Sequence, residues 1–498
     1  MSLADKPNVV LPLAASYNER GTKGFTNSIT SGIDQRKVNS MYEVAKNAMT
    51  GKATLYLVKR PGVSVDAASF GTSGQVAYIL STKPGNTALT AADFWVFSTS
   101  GNDIRASNST GTTTVIVTAA GYAPYYVGKT SISGTETLVV QLKNASNAQR
   151  VFYSSAIATF TEITDGDFAA LTLRGKMEFI DGWALVMDNM NRIYNSDLNS
   201  LSSWQPQNYI TKQIVQDLPV GLARLGNQII AFGIETMEVL VNNGNPSGSP
   251  LVSVPSLFQR VGINLSTVNV GQTSYYAISG KKMYFVGRKG GYYSDGVFVY
   301  DGSSCERIST DAIDKIISQN NFVYSVHAVA LSGKEAIVFG LDLTTATTQR
   351  WLVYFPEYND WFEWNSTVFK PIFDSIYYLG VDANQHKLYA IVPTSDNWTD
   401  ADINYTWTHQ FQLPDNGNQR KFMPYMALKG DTARSAQSIS VEFSDDDYQS
   451  FSSARTIDMT KPEKSLFRCG SYKGARVVRL SHAGNTEVRL SQFLARIE

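Results

Sequence analysis

Short runs of apolar residues, each preceded by a polar turn, recur along the middle of the chain. The runs lie at 181–187, 226–233, 280–287, 333–340 and 384–391. The later runs start roughly 50 residues apart, a period typical of propellers built from four-stranded blades. One small sheet cannot bury both of its faces, whereas blades stacked around an axis bury each other. The pattern predicts an all-β chain with a β-propeller-like repeat of short antiparallel blades; an open array of β-sandwiches is the alternative.

Helical periodicity is rare in this sequence, and very few helices are expected. Residues 35–49 form one candidate helix, because Val38 and Met41 begin an apolar series at helical spacing. Residues 310–318 form a second candidate, with Thr310 in the N-cap position. Nearly all of the remaining sequence alternates between short strand-like runs and turns rich in Gly, Asn, Asp and Ser.

The amino-acid composition and the strand-like pattern change along the chain and divide it into five parts. Residues 63–150 contain fewer large apolar residues than the middle of the chain, and residues 396–419 are polar and aromatic. Strands are predicted near the C-terminus at 438–443, 476–480 and 487–490. The predicted parts are an N-terminal segment leading into the first blade (1–62), atypical blades or an inserted β-domain (63–150), β-propeller blades (151–395), a linker or long loop (396–419) and a C-terminal β-domain (420–498).

Composition and charge narrow the range of functions. Only 17% of the 498 residues are charged, below the roughly 25% of an average soluble domain, while 12% are aromatic. The 43 Lys and Arg residues balance the 43 Asp and Glu residues, so the net charge is zero. A protein that grips DNA normally has a basic excess, because its affinity comes from neutralising phosphates. Zero charge therefore argues against tight DNA binding, but it permits a passive DNA conduit and suits a subunit of an assembly.

Motif searches predict no catalytic, cofactor or metal site, and hence a protein that is not an enzyme. Gly128-Lys129-Thr130 is similar to the end of a phosphate-binding loop, but the upstream Gly that such a loop needs is replaced by Ala123. The four histidines lie in unrelated contexts, and no metal-ligand spacing is present. Cys305 and Cys469 are far apart in sequence and are expected to be buried thiols.

The acidic run at 444–451 resembles in outline the Asp-box hairpin of sialidase propellers. Tyr448 replaces the Gly of that box and Phe451 replaces its Trp. We interpret the run as a structural hairpin in which a carboxylate accepts backbone hydrogen bonds, with calcium binding as a minor alternative. The run, together with the β-repeat, motivates a competing hypothesis of a carbohydrate-binding or glycan-degrading β-propeller.

The C-terminal stretch from Lys461 onwards is locally basic. Arg468, Lys473, Arg476 and Arg479 form a candidate patch that could face a partner or DNA. A solvated strand face with local ion pairs is an equally good interpretation. The same stretch is the only support for a further hypothesis, a scaffold propeller that binds cellular proteins.

Targeting signals are not apparent. The first 13 residues have no basic segment followed by a long apolar run, so no signal peptide is expected. No apolar stretch approaches the length of a membrane-spanning helix. We therefore expect synthesis in the cytoplasm of the host cell and no membrane segment.

A series of segments, in order along the chain, matches the pattern of a known family. In the first half they are Leu11-Pro12-Leu13, Lys59-Arg60-Pro61-Gly62, Gly221-Leu222-Ala223-Arg224 and residues 232–239. Further along they are Gly262, Tyr284-Phe285-Val286, Val297-Phe298-Val299, residues 313–317, 444–446, Arg468-Cys469-Gly470, Val477-Val478-Arg479-Leu480 and Ala495-Arg496-Ile497-Glu498. Taken together, these segments resemble the packaged-DNA stabilisation family of short-tailed bacteriophages (podoviruses), whose members form the tail hub or tail nozzle. The resemblance is weakest at 63–150.

The resemblance implies a structural protein of the virion, located in the phage tail. It implies a homo-oligomer, a hexameric ring, that forms a channel below the portal and adaptor, retains packaged DNA and conducts it during ejection. The implied partners are the adaptor (head-to-tail connector) protein, a tail needle or tip, or tailspike or fibre proteins. Double-stranded DNA would pass through the channel without specific binding. The family supplies no catalytic residues and no cofactor.

Overall fold

The fold is almost entirely β-structured. The structure, a computed structural model, describes residues 9–13, 36–46, 53–65, 76–81, 94–108, 113–155, 160–245, 247–264, 275–289, 295–319, 322–331, 334–342, 349–366, 369–370, 377–382, 385–391, 398–400, 402–413, 419–433, 435–446 and 448–498. These residues form 44 strands and two α-helices, which confirms the all-β prediction. No helix in this described part is long and apolar enough to cross a membrane.

The strands are short and follow one another closely. Those before residue 120 are β1 (Val9–Pro12), β2 (Lys37–Val38), β3 (Ser40–Lys46), β4 (Ala53–Lys59), β5 (Val63–Val65), β6 (Val76–Ser81), β7 (Phe94–Ser100), β8 (Asp103–Asn108) and β9 (Thr113–Thr118). The elements from 122 to 211 are β10 (Tyr122–Ile132), β11 (Thr135–Asn144), β12 (Gln149–Ser154), β13 (Thr161–Glu162), α1 (Gly166–Ala169), β14 (Leu173–Ile180), β15 (Trp183–Asp188), β16 (Arg192–Ser196) and β17 (Trp204–Thr211).

The second half of the chain continues in the same way. The elements from 219 to 342 are β18 (Pro219–Leu225), β19 (Gln228–Gly233), β20 (Met237–Asn242), β21 (Leu251–Ser253), a 3₁₀ turn (Pro255–Leu257), β22 (Val261–Gly262), β23 (Tyr276–Ser279), β24 (Lys282–Lys289), β25 (Asp295–Tyr300), β26 (Cys305–Arg307), α2 (Asp311–Gln319), β27 (Phe322–Leu331) and β28 (Lys334–Asp342). Those from 349 to 412 are β29 (Gln349–Phe355), β30 (Asp360–Ser366), β31 (Phe369–Lys370), β32 (Tyr377–Asp382), β33 (Gln385–Ile391), β34 (Thr399–Asp400), β35 (Ile403–Asn404) and β36 (Trp407–Gln412). The last are β37 (Arg420–Phe422), β38 (Tyr425–Gly430), β39 (Ser438–Ser444), β40 (Arg455–Asp458), β41 (Ser465–Phe467), β42 (Ser471–Lys473), β43 (Val477–His482) and β44 (Arg489–Arg496).

The chain divides into two compact units. Unit 1 comprises residues 1–64, 350–367 and 391–498, and unit 2 comprises residues 65–349 and 368–390. Unit 1 therefore joins N-terminal and C-terminal segments to an internal hairpin.

Five antiparallel sheets of unit 2 are each made of strands consecutive in sequence. Four of these sheets have four strands each: β6–β9, β10–β13, β14–β17 and β18–β21. In the fifth, β22 and β23 both pair with β24, β24 pairs with β25, and β25 pairs with β26. The first strand of one sheet contacts the first strand of the next, as in β6 with β10 and β14 with β18. This is the arrangement of propeller blades, so the β-propeller-like prediction is confirmed.

The blades of unit 2 bury each other's faces, as the predicted repeat requires. Val127 and Val140 of the β10–β13 sheet share one core with Phe97 of the preceding sheet. Ile180 of the β14–β17 sheet shares another core with Leu222 of the following sheet. The predicted apolar runs at 181–187, 226–233, 280–287 and 333–340 correspond to β15, β19, β24 and β28, the second strands of their blades or hairpins, and the run at 384–391 corresponds to β33.

Two glycines allow the first strands of neighbouring blades to touch. A Cβ on Gly175 would lie 2.6 Å from the Cα of Gly221, and the φ of Gly175 is +68°. Any larger side chain would push β14 away from β18, and the positive φ would strain it as well. The hydroxyl of Tyr275 donates a hydrogen bond to the carbonyl of Leu222 beside this contact. Close packing at this point explains why the sequence places Gly within both strands.

Unit 1 contains two sheets whose side chains pack together. One sheet has the order β3-β4-β44-β38-β41, with β1 also paired to β44. The other follows the order β29-β30-β2-β36-β43-β39-β40 through this unit. The rings of Phe411 and Phe493, one from each sheet, lie 4.9 Å apart. The indole nitrogen of Trp364 donates a hydrogen bond to the carbonyl of Ser40, 2.8 Å away.

Two of the local predictions need correction. The helix predicted at 35–49 is wrong for its described residues, 36–46, because β2 and β3 lie there and Val44 on the predicted apolar face is exposed. The linker predicted at 396–419 is wrong for its central residues, where β36 pairs with β2 and β43. In both cases strand partners from distant parts of the sequence override the local pattern.

Other local predictions are confirmed. The helix predicted at 310–318 is α2, and the Thr310 side chain accepts a hydrogen bond from the backbone of Ile313. The predicted C-terminal strands correspond to β39, β43 and β44, although the last begins two residues later than expected.

Candidate functional site

The predicted basic patch is divided by the structure into buried and exposed members. Arg476 is buried, and its guanidinium donates to both carboxylate oxygens of Asp445, at 2.7 and 2.6 Å. It also donates to the carbonyl of Cys469 at 2.6 Å and lies over the ring of Tyr472. Arg476 therefore holds a loop in place and is not part of an exposed basic surface, which corrects its assignment to the patch.

Arg479 is paired rather than free. Its Nε lies 2.7 Å from the Glu442 carboxylate, which belongs to the neighbouring strand β39. The guanidinium also lies over the ring of Phe451, 3.7 Å from its centre. The Glu442 carboxylate neutralises the charge of Arg479, so this residue matches the alternative interpretation of a strand face with local pairs.

Arg468 and Lys473 are exposed. Lys473 lies in β42, which pairs with β37 to form a two-stranded ribbon, and Arg468 precedes this strand. Arg420 lies directly opposite Lys473 in this ribbon, and Phe422 lies opposite Ser471. The backbone N–H of Arg468, a residue with a φ of +59°, donates to the carbonyl of Pro424 and extends the pairing. We call Arg420, Phe422, Arg468 and Lys473 the cationic ribbon.

The cations of the cationic ribbon have no carboxylate partner among the described residues. Arg420 donates to the hydroxyl of Ser471 at 3.0 Å. Glu498 is close in the fold, because its backbone exchanges hydrogen bonds with Phe422, but its carboxylate is paired with Arg496. Sequence reasoning missed Arg420 and Phe422 because they lie about 50 positions from the basic stretch. The run of two basic residues followed by an aromatic residue at 420–422 is the signal that could have identified them.

A second exposed surface lies at one end of the blade β14–β17 and consists of apolar side chains. Met190 is 62% exposed and Leu218 is 50% exposed, and Ile214 and Val215 between them are also exposed. The backbone N–H of Lys212 donates to the carbonyl of Asn191 at 2.9 Å, so the turn that carries Met190 adjoins the loop 212–218. We call these four apolar residues the apolar loop surface.

Buried charges hold the loop 212–218 in one conformation. The carboxylate of Glu238, which is fully buried, accepts hydrogen bonds from the backbone N–H groups of Gln213 at 2.9 Å and Ile214 at 3.1 Å. The Asp217 carboxylate accepts the backbone N–H groups of Glu235 and Thr236 and pairs with the buried ammonium of Lys212. Burial lowers the pKa of Lys212, and its hydrogen bond to Asp217 opposes this effect.

A buried ionic cluster connects the segment 59–62 to residues 398–405 within unit 1. Arg60 and Asp400 form a bidentate ion pair that is shielded from solvent. The ring of Tyr405 lies 3.9 Å from the Arg60 guanidinium. The neighbouring Lys59 donates to the carbonyls of Trp398 and Gly484, and burial lowers its pKa to about 8. The arrangement secures the fold and is closed to a ligand.

The acidic run at 444–451 forms the predicted hairpin, since β39 pairs with β40 on either side of it. The carboxylate of Asp446 accepts hydrogen bonds from the hydroxyl and backbone N–H of Ser450 and from the hydroxyl of Ser444. These bonds lower the pKa of Asp446 to about 2. Within the described part of the chain, no group of three or more His, Cys, Asp or Glu side chains could hold a metal ion.

The residues considered as candidates for nucleophilic catalysis or nucleotide binding lie within strands or are buried. Gly128-Lys129-Thr130 lies within β10, so no phosphate-binding loop forms there. His327 and His409 are buried in strands, and burial lowers the pKa of each to about 3. Cys469 is buried as predicted, whereas Cys305 is only partly buried; burial raises the pKa of Cys305 to about 12.

A polar cleft of about 390 Å³ on the outer face of the second sheet of unit 1 contains two carboxylates, Glu363 and Glu442. Glu363 accepts hydrogen bonds from both Arg36 and Arg350, and Glu442 is paired with Arg479. Burial acts to raise the pKa of Glu363, but the two arginines more than offset it, so the pKa is lowered. Hydrolysis of a glycoside needs a general acid with a raised pKa, and this cleft lowers the pKa of its buried carboxyl.

Comparisons with known proteins identify the family. No curated protein matches this sequence. Solved structures similar to parts of it include the computationally designed Ika8 protein (12% identity, 64% of this chain and 98% of that one, TM-score 0.34). Others are a Phanerochaete chrysosporium exo-beta-1,3-galactanase (5% identity, 87% and 100%, TM-score 0.27) and a chain of the Mitotic Checkpoint Complex (10% identity, 66% and 97%, TM-score 0.35). These TM-scores are too low to assign a fold.

A family model gives the decisive match. The model for phage stabilisation proteins, described as Bacteriophage P22 Gp10, beta-propeller, matches residues 24–399, which is most of the chain. The match agrees with the blades of unit 2 and with the resemblance seen in the sequence. This chain belongs to that family of bacteriophage structural proteins.

Proposed function

We propose that this chain is the tail hub or nozzle subunit of a short-tailed bacteriophage. Copies of it, six in our proposal, form a ring below the portal and adaptor, retain packaged DNA and conduct it during ejection. The observation that carries the proposal is the family match over residues 24–399. The virion is thus the place where the protein acts, and its position in the tail is part of the proposal.

The apolar loop surface is proposed to contribute to the contact between copies in the ring. A closed ring uses heterologous contacts, in which one patch meets a different patch on the next copy. Val215 and Leu218 are exposed yet stand on a loop fixed by the carboxylates of Glu238 and Asp217, so little conformational freedom would be lost on docking. Met190 is exposed on the adjoining turn. The loop carries no unpaired cation, since Lys212 is buried and paired with Asp217, and it therefore offers nothing to a phosphate.

The neutral charge of the chain supports a conduit through which DNA slides. With 43 basic and 43 acidic residues, a ring of copies has no overall attraction for the phosphate backbone. Many phosphate contacts would slow the movement of DNA, because each one releases counterions and adds affinity. Retention of DNA would then come from a steric closure of the channel rather than from binding.

Electron microscopy of the purified full-length chain, alone and with the adaptor protein, tests this proposal. Rings with a central opening are expected, and a chain that never joins a ring or a tail contradicts it. Val215→Asp should reduce ring formation at least about tenfold, because a buried carboxylate in an apolar contact is strongly unfavourable. Val115→Asp, at an exposed position of another blade, is the matched control and should leave the rings intact.

A further inference from the structure

We propose that the cationic ribbon of unit 1 docks a different protein of the virion, one whose surface presents an apolar pocket rimmed by carboxylates. This surface is separate from the apolar loop surface of unit 2. The inference goes beyond the ring proposal, because it concerns a contact with another protein rather than between copies.

The first argument is the charge on the exposed face of the ribbon. Arg420 and Lys473 are direct cross-strand neighbours, and like charges in this position repel each other. Arg468 adds a third cation. The hydrogen bond from its backbone N–H to the carbonyl of Pro424 places it two cross-strand positions beyond Phe422. Carboxylates on a partner would relieve this repulsion, and none is supplied by the described residues of this chain.

The second argument is the aromatic residue between these cations. Phe422 is 45% exposed, although the residues immediately before and after it, Lys421 and Met423, are buried. Phe and Arg are both enriched at protein interfaces relative to the rest of the surface. The buried face fixes the ribbon, since the ammonium of Lys421 donates to the carbonyl of Gly474 at 3.0 Å. The exposed face is therefore already arranged for binding.

A protein partner fits this surface better than DNA. Duplex DNA presents phosphates and hydrated grooves to a contacting protein, and these satisfy cations but not an exposed Phe. An apolar pocket with a polar, charged rim satisfies Phe422 and the three cations together. Self-association through the same ribbon is unfavourable, because a two-fold contact would place cations against cations.

Photo-crosslinking within assembled particles tests the proposal. Full-length chain with Phe422 replaced by p-benzoylphenylalanine would be produced during infection, and the crosslinked peptide identified by mass spectrometry. We expect a crosslink to one other virion protein, at a peptide that combines apolar and acidic residues. Crosslinks only to this same chain, only to DNA, or to nothing would overturn the proposal. The same replacement at Val115 is the control and should not capture that peptide.

Charge substitutions supply an independent readout. Lys473→Glu and Arg420→Glu should each lower the crosslinking yield at position 422 at least about tenfold, whereas Lys473→Arg should preserve it. Unchanged thermal unfolding of the purified variants shows that each one folds. A yield that is insensitive to both charge reversals would reject the role of the cations. If rings form but no crosslink to another virion protein appears, the docking proposal is rejected and the ring proposal stands. If that crosslink appears but no rings form, the docking proposal stands and the ring proposal is rejected.

Discussion

The guanidinium of Arg60 makes two hydrogen bonds with the carboxylate of Asp400, at 2.9 and 2.6 Å, although 340 positions separate the two residues. Both side chains are shielded from solvent. An ion pair in such a place adds little stability in itself, but removing one partner leaves an uncompensated buried charge. The pair therefore makes the association of the segment 59–62 with residues 398–405 specific within unit 1.

Loss of the Asp400 carboxylate should destabilise the protein strongly. We expect Asp400→Ala to lower the free energy of unfolding by about 3–5 kcal/mol, because Arg60 is left buried without a counter-charge. The double variant Arg60→Met with Asp400→Leu should recover most of this loss. Chemical unfolding followed by fluorescence or circular dichroism measures both.

The partly exposed pair Arg479–Glu442 provides the matched control for this substitution. Glu442→Ala should cost only about 0–1 kcal/mol, since solvent screens the remaining charge. Equal losses for Glu442→Ala and Asp400→Ala would show that burial of the Arg60 pair has no special importance.

Gly62 should not tolerate even one added methyl group. A Cβ at this position would overlap the backbone of Thr399, which belongs to the strand β34. Gly62→Ala should therefore lower the free energy of unfolding by about 1–3 kcal/mol. Gly166→Ala is the control, because a Cβ there meets open space and should leave the midpoint of thermal unfolding nearly unchanged. A neutral Gly62→Ala would contradict the close approach.

Two buried histidines predict a loss of stability in mild acid. His327 and His409 have a pKa of about 3 in the folded chain and about 6.5 when unfolded, because burial disfavours the charged ring. The unfolded state therefore binds more protons below pH 6.5. Their contribution is fully present above that pH and is lost as the pH falls towards 3. The slope is about 1.4 kcal/mol per pH unit for each histidine.

Chemical unfolding between pH 7 and about pH 5 measures this slope before most carboxylates titrate. His409→Phe should remove about half of the pH dependence that the two histidines contribute to the free energy of unfolding, since the phenyl ring takes no proton. An unchanged slope in this variant would mean that His409 is accessible to protons in the folded state.

Glu238 should control the order of the loop 212–218 rather than the stability of the whole unit. Removal of its carboxylate in Glu238→Ala frees the backbone N–H groups of Gln213 and Ile214. Hydrogen exchange at these two amides should accelerate by about tenfold, which corresponds to ~1.4 kcal/mol of opening free energy. Asp181→Ala, which removes an exposed bond to Asn242, serves as the control and should leave both amides unaffected.

The blades were predictable from the sequence because their strands are neighbours along the chain. Each run such as 226–233 lies beside its own partners, so the local alternation of turns and apolar residues contains the needed information. Unit 1 was not predictable in the same way. Tyr42 is fully buried in β3, which pairs with β4, and β4 in turn pairs with β44 at the other end of the chain. The helical spacing of residues 35–49 gives no sign of that distant strand.

The exposed surfaces were only partly predictable, because burial of a charged side chain depends on tertiary contacts. Arg468 and Arg476 look alike in the sequence, yet the loop that carries Asp445 buries only Arg476. The pairing of β37 with β42 brings Arg420 to Lys473, and nothing at either position alone indicates the other. The apolar loop surface has no periodic signal, since it is defined by two separate turns.

The pairing of β1 with β44, from Val9 with Ala495 to Pro12 with Gln492, has a consequence for biosynthesis. Each of the five sheets from β6 to β26 can form as its consecutive strands leave the ribosome. Unit 1 must wait until residues near 496 have emerged, because its first sheet is incomplete without β44. A chain cut short by premature termination would carry finished blades but no completed unit 1. Such a fragment would lack the cationic ribbon in its folded form, because β38, which follows the ribbon strand β37, pairs with β44.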